Sequence, residues 1–452
     1  MYNRRKNMSQ LKEKFLYGYN AEQFKKFKKY AWLMLLSFSL LYLFFYNGRQ
    51  NINLVKTDMA AAFGFFLEDG VTPDIAPIGV VSSALFWCYA FGQLVSGRIG
   101  ALLGYKKTMM IGVIASAGLN IALSFASNLT VIAILWGLNG FFQAMVWANG
   151  VGVINKWWPK KDRGFASGLA TSFSGLAQVV TYYTIFLVME TNLNLGWGWK
   201  AAFRFPMIPM LLMLVAFFFF FKTTPEEVGL APFEEEDAAA AERDAALANE
   251  ISGKGFFYPY KVLFSEPKVI VFCLISAIAG IGRYALLSLV PTYFTEKMAL
   301  DFGHSITKIV FLPLGQACAM FVFPFITDKV FKGKREPMLI LASVVTFGVM
   351  LCFPFINSPA LASAMLFIVG VSGMVTGVIW AIAGDMGGRA FAATVVGVLD
   401  WAVYMGAAIQ ESSFGYLKNA LGWPAVFITI GALYIVMLVL TLLARKMKMK
   451  KL

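Results

Sequence analysis

The sequence predicts an all-α integral membrane protein with twelve transmembrane helices in two six-helix, pseudo-symmetric halves. Three observations predict it: long apolar runs without alternation, basic residues confined to alternate loops, and a short motif that recurs in each half. The apolar runs set the class. Of 452 residues, 59% are hydrophobic and 14% charged, which is more apolar surface than a soluble fold can cover. Runs at 31–45, 131–142, 207–221 and 425–443 are long enough, with their flanks, to cross a hydrocarbon core about 30 Å thick. Their apolar residues are continuous and do not alternate with polar ones, so helices cross the membrane rather than barrel strands. The first run lies too far into the chain for a cleaved signal peptide. No small-residue cleavage site follows it, and Arg49 and Gln50 continue the same segment.

Loop charge gives the topology. The net charge of +14 could suit nucleic acid, but its distribution argues for a bilayer instead. Lys and Arg crowd a basic tail at 1–29, from Arg4 and Arg5 to Lys28 and Lys29, and a second at 445–452. They also mark the loops at Lys106 and Lys107, at Lys156, Lys160, Lys161 and Arg163, and at Lys329, Lys332, Lys334 and Arg335. The intervening loops near 127–130, 357–360 and 418–422 carry almost none. This bias puts both tails and the basic loops in the cytoplasm of a multi-pass inner-membrane protein, which requires an even number of spans. No nucleic acid is expected as a partner, and the chain is expected to be a monomer.

The expected spans are 30–55, 77–98, 107–126, 130–155, 164–189 and 199–221 in the first half. In the second they are 268–298, 305–330, 337–356, 359–384, 389–414 and 423–444. The halves are therefore 30–221 and 268–444, joined by a hydrophilic cytoplasmic linker at 222–267. That linker holds an acidic run at 233–237 and an Ala-rich stretch at 238–250 that suits a short surface helix. Gly48-Arg49 in the first span returns as Gly282-Arg283 in the seventh. Each half also approaches its last span through a related segment, Gly198-Trp199-Lys200 against Gly422-Trp423-Pro424. Two helical halves with substrate held between them is the logic of a rocking secondary transporter.

Catalysis finds no support. The four cysteines, Cys88, Cys273, Cys318 and Cys352, fall inside spans and have no metal or redox spacing. His304, the single histidine, follows Phe302 and Gly303 at a helix start and suits a capping or solvent-facing role. No nucleotide-binding glycine loop occurs. No enzyme activity, cofactor or metal is expected.

The chemistry lies in the two intramembrane arginines. Arg49 and Arg283 each sit about 15 to 20 residues into a helix, roughly 22–30 Å along its axis. An arginine at that depth must face a watery cavity or a partner. Two guanidinium forks converging from opposite halves suit a phosphate or carboxylate, because each donates paired hydrogen bonds. The alternative is that each arginine pairs with an acid and holds helices together.

Several segments, in order across both halves, resemble the organophosphate:phosphate antiporter family of the major facilitator superfamily. They are Gly140-Phe141-Phe142-Gln143, Lys156-Trp157-Trp158-Pro159-Lys160-Lys161-Asp162-Arg163-Gly164 and Thr224-Pro225-Glu226-Glu227-Val228-Gly229-Leu230. Arg283-Tyr284, Pro291-Thr292-Tyr293-Phe294 and Thr327-Asp328-Lys329-Val330-Phe331-Lys332-Gly333 continue the series. The resemblance covers nearly the whole chain and includes glycerol-3-phosphate and hexose-phosphate transporters. It implies that Arg49 and Arg283 grip the substrate phosphate, with Tyr42, Tyr46, Tyr89 and Tyr404 lining the site. The sequence also departs from the family. A fifth-helix histidine is replaced by Ser174 and a second-helix lysine by Gln93. The residue after the first arginine is Gln50 where lysine is common, and its acidic partner on the seventh helix falls at Ser288.

Asp400 lies in an apolar helical stretch and must face arginine, water or substrate. It could neutralise Arg283, bind a sugar hydroxyl or carry a proton. Glu411, further along the same helix, reads as interfacial. The loop around Arg98, Lys106 and Lys107 resembles the superfamily's basic gating motif, with Ala101 where aspartate is usual; Asp328 and Lys329 occupy the matching turn. The abundant aromatics at 217–221, Trp157 and Trp158 read as a lipid-facing belt. The function expected is alternating-access transport of a small anionic organic phosphate in exchange for inorganic phosphate. The rivals are a proton-coupled symporter of a carboxylate or sugar acid using Asp400, and a membrane sensor of sugar phosphate.

Overall fold

The computed structural model describes residues 17–159, 162–191, 195–233, 254, 257–332 and 334–448. Within helices, the side chains of 164, 320, 321, 324, 325, 328 and 388–393 are also outside the description. The acidic and Ala-rich linker at 234–250, Lys160 and Lys161, most of the two basic tails, and the Asp328 side chain therefore lie outside the described residues.

The chain opens with α1 (Ala21–Phe45), which starts at Ala21 rather than at 30. A capping box sets that start. The Asn20 side chain accepts from the Gln23 amide at 2.8 Å, and the Gln23 side chain accepts from the Asn20 amide at 3.1 Å. Lys25, Lys26, Lys28 and Lys29 consequently ride on the first helix. A 3-10 turn at Tyr46–Gly48 then interrupts the span, and α2 (Asn51–Ala62) completes it. The remaining helices of the first half are α3 (Ala76–Leu103), α4 (Tyr105–Leu123), α5 (Leu129–Trp157), α6 (Arg163–Glu190) and α7 (Met207–Phe220). A 3-10 turn at Gly198–Phe203 leads into the last of them.

After the short helix α8 (Tyr258–Phe264), the second half contains α9 (Pro267–Glu296), α10 (Phe302–Ile309), α11 (Phe311–Lys329), α12 (Glu336–Cys352) and α13 (Pro359–Gly373). It closes with α14, an unbroken helical run over Thr376–Lys446. That run cannot be straight. Tyr404 and Phe427 would be about 35 Å apart on a straight helix. They pack instead on Tyr284 and Tyr293 of α9, with ring centroids 5.8 and 5.0 Å apart, and those two lie only about 14 Å apart along α9. The reversal comes at Gly422, whose φ of 77° is cheap for glycine alone, two residues before Pro424.

Among the described residues, nine helical segments are long and apolar enough to cross a membrane. One of them, Thr394–Lys446, doubles back, and α4 and the pair α10–α11 complete the expected twelve spans. The side-chain pattern is inverted relative to a soluble fold. Leu212, Phe219, Phe220 and Leu443 are exposed, while Asn51, Asn120, Asn139, Gln143 and Asn149 are buried. The aromatic belt is narrower than the sequence suggests. Phe218–Phe220 face outward, but Phe217, Phe221, Trp157 and Trp158 are buried, and Trp157 donates to the Lys222 carbonyl at 3.0 Å. Asp301 caps α10 by accepting from the His304 amide at 2.8 Å and meeting its ring Nδ1 at 2.6 Å, which leaves His304 exposed. These contacts hold the Asp301 carboxyl below the usual carboxylate range.

Candidate functional site

The site starts with the break in the first span. Arg49 follows the 3-10 turn with φ −139° and ψ −15°, outside helical geometry, so carbonyls around it lose their intrahelical donors. Side chains from α4 and α5 replace them. The Gly48 carbonyl accepts from Asn120 at 3.0 Å and from Asn139 at 2.7 Å. Ser116 donates to Asn139 Oδ1 at 2.6 Å, and Gln143 donates to Ser116 Oγ at 2.8 Å. Asn51 donates to Asn120 Oδ1 and to the Ala202 carbonyl, which ties the restart of the helix to the same cage. Gly48 has no room for more: an added Cβ would lie 2.8 Å from Ser116 Oγ and 2.9 Å from Gln143 Nε2.

The cage leaves Arg49 buried in tyrosines. Its guanidinium lies 3.9 Å from the Tyr46 ring centroid and 5.5 Å from that of Tyr89, and Nη2 is 3.4 Å from the Tyr42 hydroxyl. On α9, Arg283 approaches Tyr284 at 5.4 Å. The Nε atoms of both arginines are buried with no hydrogen-bond partner among the described residues, and neither arginine has a carboxylate within 4.0 Å there. Neither arginine is thus tied to another helix by an ion pair within 4.0 Å among the described residues. Buried donors left in this state are costly unless something accepts from them.

A narrow cleft lies between the halves and is lined by Tyr42, Tyr46, Ser174, Arg283, Asp400 and Tyr404 among others. The other expected residues sit one contact behind. Arg49 lies against Tyr42 and Tyr46, Tyr89 packs on Tyr404 at 4.1 Å, and Gln93 donates to Asp400 at 3.0 Å. The Asp400 carboxylate is thus held by a neutral amide from the opposite half, and no cation lies within salt-bridge distance of it among the described residues. Gln50, in the position after Arg49, bonds Asn53 at 2.7 Å.

Sequence reasoning missed Trp147 and Trp380, which also line the cleft and stack across the halves with centroids 6.0 Å apart. The depth of Trp147 within its expected span was an available signal, whereas Trp380 falls near the end of its own, 359–384, and so resembled an interfacial residue. The reading of Glu411 as interfacial is corrected. It is buried and pairs with Lys56 of α2 at 2.6 Å, and Lys56 also donates to Ser288. Lys56 went unnoticed because the first span was ended at 55, one residue short of it. Of the gating candidates, Lys106 works within its own half by capping α7, with bonds to the Phe218 and Phe221 carbonyls at 2.8 and 2.7 Å. Arg98, Lys107 and Lys329 are exposed.

Residues 38–411 match the Major Facilitator Superfamily. A "Probable hexose phosphate transport protein" of Chlamydia pneumoniae is 25% identical over 90% of this chain and 89% of its own length. The "Membrane sensor protein UhpC" of Escherichia coli (strain K12) is 25% identical over 88% of each chain. The "Glycerol-3-phosphate transporter" of Bacillus subtilis (strain 168) is 23% identical over 84% and 86%. Among solved structures, a bacterial homologue of the human lysosomal transporter Spinster, inward-facing and unoccupied, superposes with a TM-score of 0.71. Its identity is 14%, and the match covers 92% of this chain and 97% of that one, which speaks for the fold alone. With two helical halves around a shared cleft and a match across most of its length, the chain belongs to the Major Facilitator Superfamily.

Proposed function

We propose that this protein is a secondary transporter of an organic phosphate ester, exchanged for inorganic phosphate by alternating access. The observation that carries the proposal is the pair of arginines from opposite halves, each with a buried Nε that has no partner, and with no carboxylate within 4.0 Å, among the described residues. Two such forks can take a dianionic phosphoryl group bidentately. The relatives support the same chemistry, since their names describe transport of hexose phosphate and glycerol-3-phosphate. Arg49, Arg283, Tyr42 and Tyr46 would hold the phosphoryl group, while Tyr89, Tyr404, Ser174, Gln93 and Asp400 would meet the organic part. Phosphate binding would draw the two arginines together and rock the halves about the cleft.

The loop charges support both termini lying in the cytoplasm of an inner-membrane protein, with the loop 63–75 on the opposite side. Arg98, Lys107 and Lys329 would then sit at the cytoplasmic mouth. One observation favours a second reading: Asp400 lines the cleft with no cation within salt-bridge distance among the described residues, which leaves it free to act as a proton site for symport. A thermal-shift screen of the purified protein against inorganic phosphate, sugar phosphates and dicarboxylates separates the two, because a ligand stabilises the state it binds. Stabilisation by inorganic phosphate and a sugar phosphate is expected; stabilisation by dicarboxylates alone would overturn the phosphate reading. Exchange in liposomes then separates a transporter from a sensor, which would bind without moving ligand.

A further inference from the structure

The most deeply buried ion pair among the described residues lies away from the cleft. Lys56 Nζ and Glu411 Oε2 are 2.6 Å apart, with the two side chains 2% and 1% exposed. Lys56 comes from the first half and Glu411 from the second, as does Ser288, to which Lys56 also donates. The pair is displaced from the substrate groups toward the end of the bundle opposite the chain termini. Glu411 lies about 16 Å along its helix from Asp400, and Lys56 about 10 Å beyond Arg49.

Around this pair the halves meet almost backbone to backbone. A Cβ on Gly79 would fall 2.5 Å from the Glu411 carbonyl oxygen, and one on Gly415 would fall 2.7 Å from the Ala76 Cα. Asn419 adds a hydrogen bond to Asp74 at 2.7 Å. No water-sized passage fits between these two segments at contacts this close.

As static glue, a buried ion pair is a poor choice, since well-packed apolar side chains of similar size serve stability as well or better. Its distinguishing property is reversibility. Separation of the halves at this end hydrates both charges, whereas parted apolar groups would gain nothing comparable from water. We propose that Lys56 and Glu411, with Ser288 as a second acceptor, are gating residues of the transport cycle: the pair closes the side remote from the termini and breaks each time the cleft opens there. The proposal rests on alternating access but not on which anion is carried.

The test uses full-length protein with Cys88, Cys273, Cys318 and Cys352 replaced by serine and spin labels at positions 71 and 421. Val71 and Leu421 are exposed on opposite halves at the remote end. Distance distributions are compared for the parent, Lys56→Gln, Glu411→Gln and the swap Lys56→Glu with Glu411→Lys. Each single variant should raise the long-distance population about tenfold, because the lone charge left behind is tolerated only when hydrated. The swap should restore the short distance. Inorganic phosphate affinity, measured in parallel, should change less than about threefold, since neither residue touches the cleft lining. Unchanged distances in both single variants would overturn the proposal, as would a swap that opens as far as the singles. A parent that fails to bind phosphate would count against the substrate reading and leave the distance result standing.

Discussion

Two cationic regions face the boundary between the halves, and they spend their charge differently. Arg49 is buried among tyrosines and Arg283 half-buried beside Tyr284, each with an Nε that has no partner among the described residues, while Lys56 donates to Glu411 and to Ser288. The arginines have no carboxylate within 4.0 Å among the described residues, whereas Lys56 already meets one, although the second oxygen of Glu411 is itself left without a hydrogen-bond partner there. An unfilled cation reports a ligand, and a filled one at the same boundary reports a conformational state. The family resemblance sharpens the contrast. Ser288 stands where an acidic residue is usual, and the acid that meets a first-span lysine is Glu411, on a different helix.

The largest effect on transport should come from the arginines. Replacing either Arg49 or Arg283 with lysine keeps the charge and loses the planar fork, so phosphate exchange in liposomes should fall at least about 100-fold, equivalent to roughly 3 kcal/mol. Expression and melting temperature should hold. Full exchange by both lysine variants would mean that no bidentate grip exists, and the contrast between the two regions would collapse.

The lysine region should respond in stability, and non-additively. Glu411→Ala alone strands a buried ammonium and should cost about 3–5 kcal/mol in reversible unfolding measurements. Lys56→Met combined with Glu411→Leu removes both charges and should cost far less than the single change. Equal losses in the single and double variants would show that the packing of these side chains matters and their charge does not.

Next in size is the cage around the helix break. Asn139→Leu deprives the Gly48 carbonyl of its shorter hydrogen bond and should cost about 1–3 kcal/mol of stability. Because the break aims Arg49, phosphate affinity should fall as well, while Ser343→Ala, which removes a buried bond remote from the break, should leave affinity unchanged. Equal affinity in the two variants would detach the cage from the site.

Much of this was legible in sequence, for identifiable reasons. A charge inside an apolar span is rare enough that Arg49, Arg283 and Asp400 declared themselves, and their neighbours Tyr42, Tyr46 and Tyr404 followed from the resemblance. Hydropathy reports depth and not partners, so Glu411 read as interfacial and the aromatics as a belt. The break at Tyr46–Gly48 has no proline to announce it, and the asparagines that make it affordable come from helices far away in sequence. The capping box at Asn20 and Gln23 was a readable local signal, but the apolar run drew attention to its own start instead.

The smallest effect should separate the two ends of the substrate. Gln93 and Asp400 meet across the halves at 3.0 Å, and no cation lies within salt-bridge distance of the carboxylate among the described residues. If the arginines take the phosphoryl group, this pair is left for hydroxyls of the organic part. Gln93→Leu should therefore weaken binding of a sugar phosphate by about 1 kcal/mol, roughly fivefold, and leave inorganic phosphate within twofold. Asp400→Asn keeps the hydrogen-bonding shape and should give the same selective loss, with exchange preserved. Equal weakening of both ligands would put the acid–amide pair in the phosphate site itself. Loss of gradient-driven uptake with intact exchange in Asp400→Asn would instead make this carboxylate the carrier of a proton.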